Sequence, residues 1–151
     1  MTDLSTSKFC LRPYDACYEN DAFKLWEATW KEIYPLFDFA AHRSWFTELM
    51  TTANVTVASR DGRLIGFVTV DLRNFYLDQL LVAPEYRGSG VGGALIAAAK
   101  GVALSELNLT VNSDSTETIK FYEARGFYIC GDGINPIDNE PTYSMRWRSV
   151  T

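Results

Sequence analysis

Leu80-Leu81-Val82-Ala83-Pro84-Glu85-Tyr86-Arg87-Gly88-Ser89-Gly90-Val91-Gly92-Gly93 runs from an apolar strand through a glycine-rich turn into the start of a helix. The first turn of a helix has backbone N–H groups without an intrahelical acceptor, pointing beyond the terminus. With the positive end of the helix dipole they make a site for an anion. Glycine in a helix interior costs about 1 kcal/mol relative to alanine, so Gly88, Gly90, Gly92 and Gly93 within one short stretch need a reason. Lacking Cβ atoms, they let a phosphate oxygen reach the backbone. A tight turn that uses its glycines for packing alone is the plain alternative. Gly88-x-Gly90-x-x-Gly93 also matches the dinucleotide fingerprint, yet the following strand ends at Val111-Asn112, where that fingerprint needs an acidic residue. No Gly-Lys-Ser/Thr follows the glycines, which excludes a P-loop.

Working outward, Phe9-Cys10-Leu11-Arg12 reads as a first strand ended by Pro13, after a polar stretch, Met1 to Ser7, that is expected to fray. Asn20 or Asp21 can cap a helix that places Phe23, Trp26, Trp30 and Ile33 on one face and closes at Pro35. Asp38 can cap a second helix burying Trp45 and Leu49. The period then changes to two: Val55 to Ser59, a turn at Asp61-Gly62, and Leu64 to Val70 predict a hairpin. Phe75 to Val82 is a further strand, and Gly90 to Val102 a helix aligning Val91, Leu95, Ala98 and Val102. Leu107 to Val111 is a strand, Ser115 to Arg125 a helix with Asp114 and Glu117 as a capping pair, and Phe127 to Cys130 with Tyr143 to Trp147 a last pair of strands. The order β-α-α-β-β-β-α-β-α-β-β predicts an α/β (α+β) fold, a single mixed, mostly antiparallel sheet flanked by helices in one domain spanning residues 1–151.

Composition narrows the function. A chain of 151 residues with 47% hydrophobic and 22% charged residues is that of a globular protein, expected to bury about 69% of its unfolded surface. No apolar run approaches the roughly 20 residues of a membrane span, and the first ten residues hold no signal-peptide core. Cys10, Cys17 and Cys130 form no CxxC pair, which argues against a disulfide framework and a zinc site and for a reduced, cytoplasmic setting. A net charge of −5 disfavours nucleic-acid binding and mildly favours a cationic acceptor.

Arg87-Gly88-Ser89-Gly90-Val91-Gly92 resembles the Arg/Gln-x-x-Gly-x-Gly/Ala motif of the GNAT superfamily of acyl-CoA N-acyltransferases, and Phe121-Tyr122-Glu123-Ala124-Arg125-Gly126-Phe127 resembles its later motif, in the right order. The resemblance spans about Arg12 to Trp147 and implies acetyl-CoA as cosubstrate. It implies that the Phe75–Val82 strand carries a bulge and splays from Leu107–Val111, that pantetheine pairs with the backbone of Leu80, Leu81 and Val82, and that the diphosphate sits on the amides of Arg87, Gly88, Ser89, Gly90, Val91, Gly92 and Gly93. It implies that Tyr122 faces the thioester sulfur as general acid. The family often carries an Asn in the last long helix; Ser115 and Thr118 stand there in this chain, with Asn112 at the strand end as another polar contact to pantetheine or acceptor.

The expected reaction is attack of a substrate amine on the acetyl thioester, with the developing negative charge held by a strand amide near Leu81 or Val82. A lysine-like amine of pKa about 10.4 is neutral in only about 1 molecule in 2,500 at pH 7, so a base is required. Asp78 is the foremost candidate, directly or through water, provided that burial raises its pKa; an ordinary strand aspartate is the equal alternative. His42, the single histidine, falls on a surface stripe. The acceptor site is expected between the N-terminal helices and the strand ends, near Trp26, Trp30, Tyr34, Phe37 and the Asp132–Pro141 loop. The leading expectation is an acetyl-CoA-dependent N-acetyltransferase acting on a primary amine of a small molecule, amino acid or peptide. A non-catalytic acyl-CoA-binding module and a nucleotide-dependent oxidoreductase stand as alternatives, and a homodimer through an edge strand is among the open assemblies.

Overall fold

Short apolar, β-branched runs bounded by turn residues build the middle of the molecule, and residues 64–70 are buried at every position. In the computed structural model, which describes residues 9–150, a hairpin joins β2 (Asn54–Arg60) to β3 (Arg63–Asp71). Asp61 and Gly62 both take positive φ at its tip, as a two-residue hairpin turn demands. β4 (Tyr76–Val82) lies antiparallel to β3, and β1 (Cys10–Pro13) covers the other side of β2. β5 (Glu106–Asn112), β6 (Tyr128–Ile134) and β7 (Pro141–Arg148) complete a seven-stranded sheet in the order β1-β2-β3-β4-β5-β7-β6. Only the β4–β5 pair is parallel, so the sheet is mixed and mostly antiparallel, flanked by helices. The fraying expected for Met1 to Ser7 lies outside the described residues.

The sheet separates two apolar clusters. One face carries α3 (Val91–Ala103) and α4 (Thr116–Glu123), packed through Val91, Leu95, Ile96, Ala99, Leu107, Tyr122 and Phe127. The other carries α1 (Glu19–Lys31) and α2 (Arg43–Thr52), packed through Phe23, Trp26, Phe46, Met50, Phe67 and Leu81.

The helices depart from their expected details in informative ways. Asn20 and Asp21 lie inside α1, which is entered from a 3-10 turn whose cap is Asp15; Asp21 instead grips Arg63 at 2.9 Å. Ile33 lies beyond the helix and is 59% exposed. Asp38 does accept from the Ala41 amide at 3.0 Å, but it caps a short 3-10 turn leading to α2. There Phe46 and Met50 are buried and Trp45 is 43% exposed, a one-residue shift of phase from the expected pair Trp45 and Leu49. In α3 the buried face is Val91, Leu95, Ile96, Ala99 and Ala103, so Ala98 and Val102 sit at its border. The N-cap of α4 is Ser115, with no side-chain capping bond, so the Asp114–Glu117 pair does not form a capping box.

Two irregularities in β4 set up the site. Against β3, Thr69 faces Gln79 whereas Val70 faces Leu77, leaving Asp78 as the extra residue of a β-bulge. The Gln79 amide donates to Thr69 Oγ1 at 3.0 Å instead of to a backbone carbonyl. The bulge reverses the pleat: Leu77 belongs to the α3–α4 cluster and Leu81 to the α1–α2 cluster. Against β5, β4 keeps a single registered pair, Tyr76 with Asn108, and the strands then diverge. Asn108 N donating to Phe75 O (2.8 Å) and Tyr76 Oη donating to Thr110 Oγ1 (3.1 Å) pin the seam at its closed end.

Candidate active site

Where β4 and β5 part, backbone groups become available. Ala83 N donates to Ile65 O at 2.8 Å, and the register pairs Leu81 with Phe67 two residues earlier. Antiparallel ladders alternate bonded and non-bonded pairs, so Gln79, Leu81 and Ala83 turn their amides to β3, while those of Leu80 and Val82 point into the gap. This corrects one expectation: Leu81 has no amide to offer a ligand, and Leu80 and Val82 do.

Two clefts open along the gap. The first, about 630 Å³, is lined by Leu80, Leu81 and Val82, by Arg87, Gly88, Gly90, Gly92 and Gly93, and by Phe121 and Arg125 across from them. Gly90, with φ 94°, is the N-cap of α3, and Gly88, with φ 79°, shapes the turn before it. A Cβ at either would meet nothing within 4 Å, so the turn's left-handed geometry, not crowding, demands them. Gly92 and Gly93 have another reason: a Cβ on them would come within 3.2 Å of the Phe121 ring and of the Arg125 guanidinium. The packing alternative therefore holds for this second pair. The first α3 amide accepted by the chain itself is that of Ala94, to Gly90 O at 3.0 Å, and those of Gly88 to Gly93 precede it. Ser89 and Val91 do not line the cleft with their side chains. Ser89 Oγ donates to Tyr86 O, and Val91 is buried in the core, so each can offer only its main chain.

The second cleft, about 420 Å³, is lined by Trp30, Tyr34 and Trp45, by Tyr76 and Asp78 of β4, by Asn112, Ser115 and Thr118, and by Ile134 to Ile137. A smaller hollow of about 240 Å³ beside it shares Trp45, Tyr76 and Asp78 and adds Glu48, Asp71 and Arg73. Asn112 and Ser115 thus stand in the second cleft and not beside the glycine turn. Asn112 Oδ1 accepts from Asn135 Nδ2 at 3.0 Å, and the same amide donates to Tyr34 Oη at 3.0 Å, tying three separate segments around this cleft. The aromatic stripe divides by role: Trp26 is fully buried, Phe37 packs against it, and Trp30 and Tyr34 form cleft wall. His42 lines neither cleft; its Nδ1 lies 2.8 Å from Asp38 O.

Both clefts share Leu80, Leu81, Thr118 and Tyr122. Tyr122 is only 6% exposed, packed edge-on between Phe121 and Phe127, and its hydroxyl has no hydrogen-bond partner among the described residues. Burial pushes its phenol well above the usual value of 10, so it stays protonated at neutral pH. Burial likewise raises the Asp78 carboxyl; the Gln79 side chain partly opposes this, and the charge of Asp71 adds to it. The residue itself is exposed, on the shared wall of the second cleft and the smaller hollow. Asp71 shows the opposite behaviour: Arg73 grips both its oxygens (3.0 and 2.8 Å) and holds it at about 2.

The family model described as Acetyltransferase (GNAT) family matches residues 19–127. The chain belongs to this family. Among relatives of this GNAT protein, the peptidyl-lysine N-acetyltransferase YiaC of Escherichia coli K12 is 31% identical over 101 residues, covering 67% of this chain and 68% of YiaC. The peptidyl-lysine N-acetyltransferase YjaB of the same organism is 35% identical over 77 residues, 51% of this chain and 50% of YjaB. A GCN5-related N-acetyltransferase from Rhodopseudomonas palustris superposes with a TM-score of 0.78 at 19% identity, covering 94% of this chain and 96% of the other. The PaiA N-acetyltransferase of Thermoplasma acidophilum, solved with coenzyme A, gives 0.74 at 18%, covering 94% and 99%. These two likenesses establish the fold. The chain is an N-acetyltransferase dependent on acetyl-CoA, which removes the oxidoreductase alternative, and its single parallel strand pair accords with that.

Sequence reasoning missed Phe121 as a cleft wall and Arg125 as a cation facing the glycine turn. Arg125 stacks on Phe121 at 3.8 Å, with Nη1 donating to Phe121 O at 2.9 Å. The signal was present, since the two stand four apart and so share a helix face, but an arginine at a helix end is equally accounted for by the dipole.

Proposed function

We propose that this GNAT protein transfers the acetyl group of acetyl-CoA to the side-chain amine of a peptide lysine. The observation that carries the reading is the meeting of the two clefts at the unpartnered hydroxyl of Tyr122. Acetyl-CoA supplies the acetyl group already activated as a thioester. The residues fit it: Gly88 to Gly93 present free amides to a diphosphate, Arg87 and Arg125 add positive charge, and the Leu80 and Val82 amides face the groove where its amide-bearing arm would pair.

The remaining work falls to the chain. One of the two free β4 amides holds negative charge on the acyl oxygen. Tyr122 presents a proton to the leaving sulfur. A coenzyme thiol resembles cysteine, near 8.5, and the phenol lies above 10, so complete transfer is uphill by more than about 2 kcal/mol; donation of a hydrogen bond carries most of the effect. Asp78, at the acceptor side of the bulge, takes the proton that the amine loses, directly or through water. Its raised pKa brings it nearer to that task. Trp30, Tyr34 and Trp45 form an aromatic wall suited to the aliphatic stem of lysine. Glu48 and Asp78 attract its cationic head, whereas Asp71 beside them is already paired with Arg73. The names of YiaC and YjaB favour the same acceptor class.

Free-thiol release with acetyl-CoA, measured across lysine-containing peptides, peptides free only at the α-amine, and small amines, tests the reading. Turnover with the lysine peptides is expected. Coenzyme binding without thiol release on any amine overturns the catalytic reading, and turnover on small amines alone overturns the peptide acceptor.

A further inference from the structure

Two buried side-chain polar atoms have no hydrogen-bond partner among the described residues, Trp26 Nε1 and Thr29 Oγ1. A buried polar group left unpaired costs about 1–3 kcal/mol, so each calls for an account. Trp26 is enclosed by aromatic rings, including Phe39 at 5.1 Å and Phe46 at 5.1 Å, and lines neither cleft. Thr29 differs, because it stands in the wall of the glycine-turn cleft together with Leu80, Leu81 and Val82. Its neighbour Trp30 lines the acceptor cleft, which puts Thr29 close to the junction.

A threonine inside a helix has a ready acceptor in the carbonyl three or four residues back. Those of α2 use it: Thr51 Oγ1 donates to Thr47 O at 3.1 Å and Glu48 O at 3.0 Å, and Thr52 Oγ1 to Glu48 O at 2.8 Å. Thr29 Oγ1 makes no such bond. Thr29 as a whole is half-buried, and threonine divides between two rotamers in helices. Rotation about Cα–Cβ exchanges its methyl and hydroxyl groups and brings the hydroxyl to the cleft face. The same cleft wall carries Glu117, Thr118 and Tyr122, yet none of them pairs with Thr29 Oγ1, which leaves the partner to be brought by the ligand.

We infer that Thr29 is a binding residue for the amide-bearing arm of coenzyme A, its hydroxyl pairing with a polar group of that arm across the groove from the Leu80 and Val82 amides. The inference rests on acetyl-CoA being the ligand of this cleft. Titration calorimetry on the full chain tests it with coenzyme A and, as a probe lacking the arm, adenosine 3′,5′-bisphosphate. Thr29→Val keeps shape and branching, and Thr29→Ser keeps the hydroxyl. One hydrogen bond's net worth predicts that Thr29→Val weakens coenzyme A about three- to tenfold. The bisphosphate should be held as in wild type, and Thr29→Ser should bind coenzyme A within about twofold of it. Thr29→Val is also expected to melt no lower than wild type without ligand, since it removes an unpaired group; Thr29→Ala serves as second variant if valine packs badly. Wild-type affinity for coenzyme A in both hydroxyl-free variants, or equal weakening of both ligands, overturns the assignment. Failure of the wild-type chain to bind coenzyme A overturns instead the functional reading on which it rests.

Discussion

At Tyr122 the family resemblance implied a phenol facing the thioester sulfur, and the residue does turn into the fold. What the sequence could not supply was its isolation: the hydroxyl reaches the junction of two clefts with no partner among the described residues. Tyr122→Phe is expected to leave coenzyme binding intact and to lower kcat about 10²-fold, the low end for a positioned proton donor, because a thiolate already leaves well. Because burial lifts the phenol above 10, the wild-type pH–kcat profile should show no falling limb from this residue below about pH 10. Asp78 works in the other direction. Its folded-state pKa exceeds its unfolded value, so the native state binds the extra proton, and stability is lost as pH rises through the folded value. The ionised carboxylate that serves the acceptor at neutral pH therefore weakens the fold. Asp78→Asn is expected to lower kcat yet raise the melting temperature at pH 7, with the thermal gain vanishing near pH 3, where both states are protonated. Thermal melts over that range, beside thiol-release assays, check both halves. Thr29 was illegible in the sequence, because a helical threonine is ordinarily satisfied by its own backbone.

Among the elements, strands were easier to read than helices. β2 through β5 follow from short apolar, β-branched runs and the turn residues that bound them, whereas the buried faces of both N-terminal helices are shifted from those the spacing predicts. The reason is physical: apolarity alone marks Trp45 and Leu49 as core, but they line open hollows beside β4. The bulge in β4 was implied by family resemblance alone, since nothing in Tyr76–Val82 announces an extra residue. Its chemical support is one hydroxyl, Thr69 Oγ1, which receives the displaced Gln79 amide. Thr69→Val leaves that amide buried and unpaired, so a loss of about 1–3 kcal/mol is expected in urea unfolding. Activity should fall further than stability does, because Asp78 and the Leu80 and Val82 amides all take their direction from the bulge. Thr69→Ser should restore both.

Taken as a whole, the molecule is two sheets' worth of strands, β1 to β4 and β5 with β7 and β6, meeting at one registered residue pair. The apolar cluster under α3 and α4 carries most of the connection, since it holds Val68, Val70 and Leu77 of one half and Leu107, Leu109 and Met145 of the other. A ligand laid in the gap would bridge the halves, so binding and stability are coupled. At 100 times its Kd, acetyl-CoA adds about 2.7 kcal/mol, which for a domain of this size is a rise in Tm of roughly 5–11 °C. Differential scanning calorimetry with and without the ligand measures it, and a flat response contradicts the coupling.

The divergence of β4 from β5 also leaves a signature in time. Leu80 and Val82 are interior residues of a central strand, yet among the described residues the ladder leaves their main-chain protons without an acceptor. In heavy water these two are expected to deuterate far ahead of Leu81 between them, a slow–fast alternation along one strand that ordinary central strands do not show. Once a guest takes the vacant place beside β4, the alternation is expected to flatten, and the strand to keep time with the rest of the sheet.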